Sequence, residues 1–295
     1  MSDLIREMCK SGPVVTDGAW GTQLQARGLV AGACPELWNL TRADCVADVA
    51  RAYVEAGSEV ILTNTFGANA VVLARHGLAD QVSQINRAGV AISKSAAGRR
   101  ARVFASMGPT GKILEMDEIS VAEVSGFFTE QADALAGAGA DAIVVETMSA
   151  LAEARLAVKA ARETGLPVVA SMTFGAGRDG TRTVMGVTPE QAAATLMAAG
   201  ASAIGANCGE GAARLLPVCQ RLRAVTDLPL WLKPNAGRPE LIDGKSVYAH
   251  SGEDVFAEQV EQLIAAGANF VGGCCGTGPS FIRALAERLT GKSRE

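Results

Sequence analysis

The chain has 295 residues, 48% hydrophobic and 20% charged, with an acidic excess of four charges. That balance gives no basic footprint for nucleic acid or an anionic membrane, and no uninterrupted apolar run approaches the roughly 18 residues of a membrane span. The opening Met1-Ser-Asp-Leu-Ile-Arg-Glu lacks the apolar centre of a signal peptide, so the expected location is the cytoplasm. Seven cysteines form an odd number without a compact framework, which favours free thiols and metal ligands over disulfides.

In chain order, a short N-terminal helix precedes a first strand at Val14 to Thr16. The turn that follows, Thr16-Asp17-Gly18-Ala19-Trp20-Gly21-Thr22, has glycines but not the G-x-G-x-x-G order of a nucleotide site. Beyond it one phrase recurs: an Ala-rich helix, a glycine stop, then a short apolar run ending in polar or glycine residues. It appears as Tyr53-Val-Glu-Ala-Gly-Ser-Glu-Val-Ile-Leu-Thr-Asn-Thr, then as Leu135-Ala-Gly-Ala-Gly-Ala-Asp-Ala-Ile-Val-Val-Glu-Thr. It returns as Met197-Ala-Ala-Gly-Ala-Ser-Ala-Ile-Gly-Ala-Asn-Cys and as Ile264-Ala-Ala-Gly-Ala-Asn-Phe-Val-Gly-Gly-Cys-Cys. The glycine reads as a helix C-cap and the run as a buried strand. Val103 to Met107, Val168 to Thr173 and Leu230 to Lys233 complete eight strands alternating with helices. The pattern predicts one domain, residues 1–295, folded as an α/β (β/α)8 barrel with a frayed tail from about 291. An open doubly wound sheet fits less well, because it usually has fewer strands at this length and a phosphate turn after the first. A long loop from Gly175 to Thr188, carrying Arg178-Asp-Gly-Thr-Arg, is a candidate lid.

Barrel active sites lie at the C-terminal ends of the strands. Those ends carry Asp17, Thr63 with Asn64 and Thr65, Gly108, Glu146 with Thr147, Thr173, Asn207 with Cys208, Lys233 with Asn235, and Cys274 with Cys275. Cys274 and Cys275 are neighbours, and a disulfide between neighbours is strained. Side chains of adjacent strand residues point to opposite faces, so for both thiols to serve one site the backbone must leave the extended form, as Gly272, Gly273 and Gly276 permit. With Cys208 they make a three-thiolate zinc site with an open fourth position. His76 and His250, the two histidines, read as capping or solvated rather than as a fourth ligand. Three thiolates leave zinc a weak Lewis acid, suited to holding a substrate thiolate that displaces a methyl group rather than to hydrolysis. Glu146 and Asp17 suit an ammonium, and amides near Gly18 or Gly108 a carboxylate. The other reading of Glu146 is an ion pair, with Lys233 the candidate partner. Trp20, Trp38 and Trp231 read as packing.

Gly272-Gly-Cys-Cys-Gly-Thr together with Gly205-Ala-Asn-Cys-Gly resembles the zinc signature of the homocysteine S-methyltransferase family. Asp17-Gly-Ala-Trp-Gly-Thr, Cys34-Pro-Glu-Leu-Trp-Asn-Leu, Leu62-Thr-Asn-Thr-Phe-Gly-Ala-Asn and Ser106-Met-Gly-Pro-Thr are most similar to the homocysteine-binding domain of cobalamin-dependent methionine synthases. The resemblance covers essentially the whole chain. It implies a zinc-bearing barrel that methylates homocysteine to methionine, with Cys208, Cys274 and Cys275 as metal ligands. Asp17, Gly18, Thr63 and Glu146 then surround homocysteine, and Asn207 joins them on the substrate side of the rim. Because the chain ends after the barrel, the expected donor is methylcobalamin on a separate corrinoid protein; a small sulfonium such as S-methylmethionine is the alternative. Gly67 stands where betaine-using relatives carry an aromatic residue, which argues against betaine. A rival of another class is a non-catalytic zinc- and thiol-binding module, against which the near-complete polar rim speaks.

Overall fold

The computed structural model describes residues 4–112, 114, 119–242, 245–249 and 252–291, so His250 and the tail beyond 291 lie outside the described residues. In chain order the strands are β1 (Val14–Val15), β2 (Val60–Ile61), β3 (Arg102–Met107), β4 (Ala142–Met148) and β5 (Val168–Met172). They continue with β6 (Ala203–Cys208), β7 (Leu230–Pro234), β8 (Arg238–Ile242), β9 (Lys245–Ala249) and β10 (Phe270–Val271). Eight of them form a parallel sheet in the order β1-β10-β7-β6-β5-β4-β3-β2, and a parallel bridge between Thr16 and Val60 joins its ends. This is the expected (β/α)8 barrel. Its outer layer includes the helices Ala43–Glu55, Val82–Ala97, Val121–Gly137 and Leu151–Glu163. Pro189–Ala198, Ala212–Arg223, Glu253–Ala265 and Pro279–Thr290 complete the ring.

The recurring glycine does what its position in the phrase implies. Gly57, Gly139, Gly200 and Gly267 all have positive φ, between 89° and 104°. The next residue in each case donates back five positions, as in Ala268 N–H to Leu263 O at 3.0 Å. That is the Schellman ending, and it delivers the chain directly into a buried strand.

Strand alternation divides the apolar residues between two cores. Val14, Val60, Phe104, Ala142, Val144, Val169, Ala203, Trp231 and Phe270 fill the barrel, while Ile143, Val145, Ile204 and Ala206 pack outward against the helices. Trp231 stacks on Phe104 with ring centroids 6.1 Å apart, in the same cluster as the small Ala142 and Ala203. The N-terminal helix Leu4–Met8 closes the bottom with the fully buried Ile5.

β8 and β9 were not foreseen. They form an antiparallel ribbon in the segment between β7 and the helix Glu253–Ala265, paired from Arg238–Ala249 to Ile242–Lys245. Among the described residues, no helix is long and apolar enough to cross a membrane.

Candidate metal and substrate site

Three strand exits break the alternation, and each break turns two consecutive residues toward the barrel mouth. On β4, Glu146 follows the inward series of Ala142 and Val144; Thr147 should then face outward. Instead Thr147 has φ 59°, and the pairing with β5 shifts between Val145 and Met148. On β6, Asn207 follows Ala203 inward, and Cys208, at φ 64°, turns back beside it. A left-handed conformation costs an L-residue roughly 1–2 kcal/mol, and a β-branched residue adopts it reluctantly. Such strain persists only where surrounding bonds hold it. After β10, Thr277 N–H donates to Cys274 O at 3.1 Å with Gly276 at φ 82°, the third position of a turn that requires positive φ. Cys274 N–H donates to Pro234 O at 2.7 Å and Ala236 N–H to Cys275 O at 3.0 Å, which fixes the turn to the end of β7.

The Sγ atoms of Cys208, Cys274 and Cys275 consequently lie within 4.8 Å of one another, with Cys208 and Cys274 3.0 Å apart. Thiolates about 2.3 Å from a tetrahedral zinc stand roughly 3.8 Å from each other, so the trio fits such an ion. Hydrogen bonds from Cys208 and Cys274 hold the Cys275 thiol well below its ordinary pKa, whereas hydrogen bonds with Cys274 and then Cys275, together with burial, push the Cys208 thiol up. The Tyr248 hydroxyl, on β9, also bonds Cys275.

These sulfurs form one wall of a cavity of about 380 Å³, which Gly18, Thr63, Ser106, Glu146 and Thr147 also line. The Glu146 carboxylate accepts from Ser106 Oγ at 2.5 Å. Burial pushes its pKa up to about 7, with the Lys233 ammonium opposing the shift and the Cys274 charge adding to it. Thr63 Oγ1 accepts from Ser106 N–H at 3.1 Å and shares a 2.5 Å hydrogen bond with Thr65 Oγ1. Gly18 must be small, because a Cβ there would stand 2.5 Å from Thr277 O.

The remaining expected residues are placed differently. Asp17 is fully buried and off the cavity wall: one oxygen pairs with Lys233, the other accepts from Trp20 Nε1 and Leu62 N–H, both at 2.7 Å. Lys233 therefore pairs with Asp17, not with Glu146. Asn207 is also fully buried and off the wall, bonded to Thr147, Ser171 and Cys274. Asn64 does line the cavity while holding a loop through Pro35 O at 2.8 Å, and Asn235, off the wall, holds one through Gly209 O at 2.6 Å. His76 is exposed just past the helix Ala70–Ala74. Residues 175–188 do not line the cavity; Ala176 bridges Arg182, and Arg221 holds Asp179 and Glu190 at 3.5 and 2.7 Å. Trp231 is barrel core, whereas Trp20 lines the cavity together with Phe66 and Glu36. Sequence reasoning missed Ser106, Glu36 and Tyr248 as site residues. The inward phase of Val103–Met107 points to Ser106, and Glu36 lies within the Cys34-Pro-Glu-Leu-Trp-Asn-Leu motif; no local signal marks Tyr248.

The chain matches the family model of homocysteine S-methyltransferase over residues 14–289. It is 33% identical over 301 aligned positions to methionine synthase of Mycobacterium tuberculosis, an alignment covering 95% of this chain and 25% of that protein. For methionine synthase of Mycobacterium leprae the identity is again 33%, over 92% of this chain and 24% of the relative. The chain thus spans about a quarter of the length of these curated relatives. The crystal structure of the homocysteine methyltransferase MmuM from Escherichia coli, metallated form, superposes with a TM-score of 0.80 at 25% identity, covering 97% of this chain and 100% of that one. With its barrel, its three convergent thiols and a family match over nearly all of its length, the chain belongs to the homocysteine S-methyltransferase family.

Proposed function

We propose that this chain transfers a methyl group to the sulfur of homocysteine, giving methionine, with Cys208, Cys274 and Cys275 holding a zinc ion. The observation that carries the reading is the convergence of three thiols on one cavity wall, with a buried carboxylate, Glu146, on the same cavity. Zinc there would supply the charge that keeps a substrate thiol, with a free pKa of roughly 8.5, deprotonated near neutral pH.

The protein's own groups do the rest. Ionised Glu146, oriented by Ser106, accepts the substrate ammonium. Thr63 and the close-packed backbone at Gly18 bound the same space, and Asp17 acts at one remove by holding Lys233 at its edge. Alignment of sulfur with the donor methyl supplies much of the acceleration. A carbon–sulfur bond forms as the methyl–donor bond breaks, and the bonding pair leaves with the donor.

The donor we favour is methylcobalamin on a separate corrinoid protein, supported by the likeness to methionine synthases. The second reading, a small sulfonium such as S-methylmethionine, is favoured by the match over the whole length of a homocysteine methyltransferase chain. A panel of methylcobalamin, S-methylmethionine, dimethylsulfoniopropionate, betaine and methylfolate with homocysteine decides between them. Zinc is expected in the reduced, purified protein, and Cys275→Ala is expected to lose both metal and turnover. Absence of zinc, with full activity retained by that variant, refutes the proposal; homocysteine binding without turnover on any donor favours a thiol-binding module.

A further inference from the structure

Asn207 sits at the inward position of β6, one residue before Cys208, and has no exposed surface. Its carboxamide is spent entirely inside the protein. Oδ1 accepts from Thr147 N–H at 2.9 Å and from Ser171 Oγ at 2.7 Å; Nδ2 donates to Thr147 Oγ1 at 2.6 Å and to Cys274 Sγ at 3.8 Å. A side-chain amide offers two acceptor lone pairs and two donors, so none is left for a substrate. The backbone N–H of Thr147 can only donate, so it must face the oxygen, and the NH2 group then faces Thr147 Oγ1 and the Cys274 sulfur.

Among the described residues, Thr147 and Cys208 are the two non-glycine positions with positive φ. Asn207 grips the first at two atoms and is covalently bonded to the second. Thr147 lines the cavity beside Glu146, and Cys274 belongs to the thiol trio. We infer that Asn207 is a positioning residue: one carboxamide holds the Glu146–Thr147 wall and the Cys274 sulfur in a fixed relation, so that the substrate's two ends are gripped in register. The inference rests on the proposed thiol–metal site, and its test is read without turnover.

The full chain, reduced and loaded with Co(II), should show a thiolate-to-cobalt charge-transfer band. Asn207→Ala removes all four bonds, whereas Asn207→Asp keeps the shape and both acceptor contacts but loses both donations. Either variant is expected to shift that band and to release cobalt to a chelator about 10- to 100-fold more readily, the range for loss of a group supporting a metal ligand. Adding Thr147→Gly to Asn207→Ala supplies a residue that adopts φ 59° freely. Asn207→Ala should also bind homocysteine more weakly, read by calorimetry, and the double variant should regain that affinity while its band stays shifted. Parental spectra and retention in Asn207→Asp overturn the inference while leaving the metal site intact. A parent chain without the band overturns the metal reading, and this inference with it.

Discussion

The chemistry at Glu146 turns on one balance: a carboxylate at the end of a buried strand, given a single serine hydroxyl at 2.5 Å and a cavity to face. Burial raises its pKa from 4.5 to about 7 against the pull of Lys233. For an acid shifted upward, the folded chain holds its proton where the unfolded chain has lost it. The contribution to stability is therefore full below the ordinary carboxylate range and is lost as pH rises through about 7. Ammonium binding runs the other way, because it needs the ionised form. Methionine is the informative ligand, since its thioether does not titrate. Its affinity should rise from about pH 6 to about pH 8 and be flat in Glu146→Gln, which should bind it tenfold or more weakly at the upper end, as expected for loss of a charge-assisted hydrogen bond of roughly 1.5–3 kcal/mol. Calorimetry across that range checks this, and equal affinity of the two proteins at high pH would remove Glu146 from the binding site.

Among the elements, the ribbon β8–β9 and the turn from Cys274 to Thr277 form one unit. Gly276 allows it twice over: its φ of 82° suits glycine, and a Cβ there would stand 2.6 Å from Tyr248 Cγ. Gly276→Ala must therefore displace Tyr248, and with it the hydroxyl that bonds Cys275. The variant should fold, with a backbone cost of roughly 1–2 kcal/mol, yet retain zinc less well than the parent. Metal content after dialysis against a chelator measures it, and parental zinc retention would show that the ribbon does not support the thiols. This unit also marks where the sequence stops being legible. The eight-strand barrel could be read because Gly57, Gly139, Gly200 and Gly267 punctuate the same phrase four times, a purely local signal. The thiol trio could be read because glycine-flanked cysteines at strand ends make poor core. Asp243-Gly244, lying between Glu240-Leu-Ile and Lys245-Ser-Val-Tyr, is a hairpin signal too, but nothing local says that the ribbon lies over a turn at the other end of β10. The side-chain partners of Asp17 and Asn207 are hidden from the sequence for a similar reason. The polar character of these two residues is local, whereas the partners that occupy them, Lys233 and Thr147, come from other strands.

For the molecule as a whole, the seam between β1 and β2 is where the barrel is held by least. Ladder pairing there comes down to one bridge, Thr16 to Val60, reinforced by Glu59 N–H to Val15 O at 2.8 Å and by Glu59 Oε1 on Val15 N–H at 3.2 Å. Asp17 extends the seam: it takes Leu62 N–H just past β2 and at the same time pairs with Lys233 from β7, with the two side chains 0% and 2% exposed. A buried ion pair contributes little net stability, but an orphaned partner is costly, about 3–5 kcal/mol. Asp17→Asn leaves the Lys233 ammonium without its counter-ion, and Lys233→Met leaves the carboxylate with two neutral donors. Each single variant should lose stability on that scale in urea denaturation of the full chain. The double variant should be less destabilised than the two singles combined, because no unpaired charge remains. Additive losses in this cycle would mean that the two residues act separately. A true latch gives strong coupling, and the same measurement then shows that the residue first read as a substrate ligand closes the barrel on which the thiol site is built.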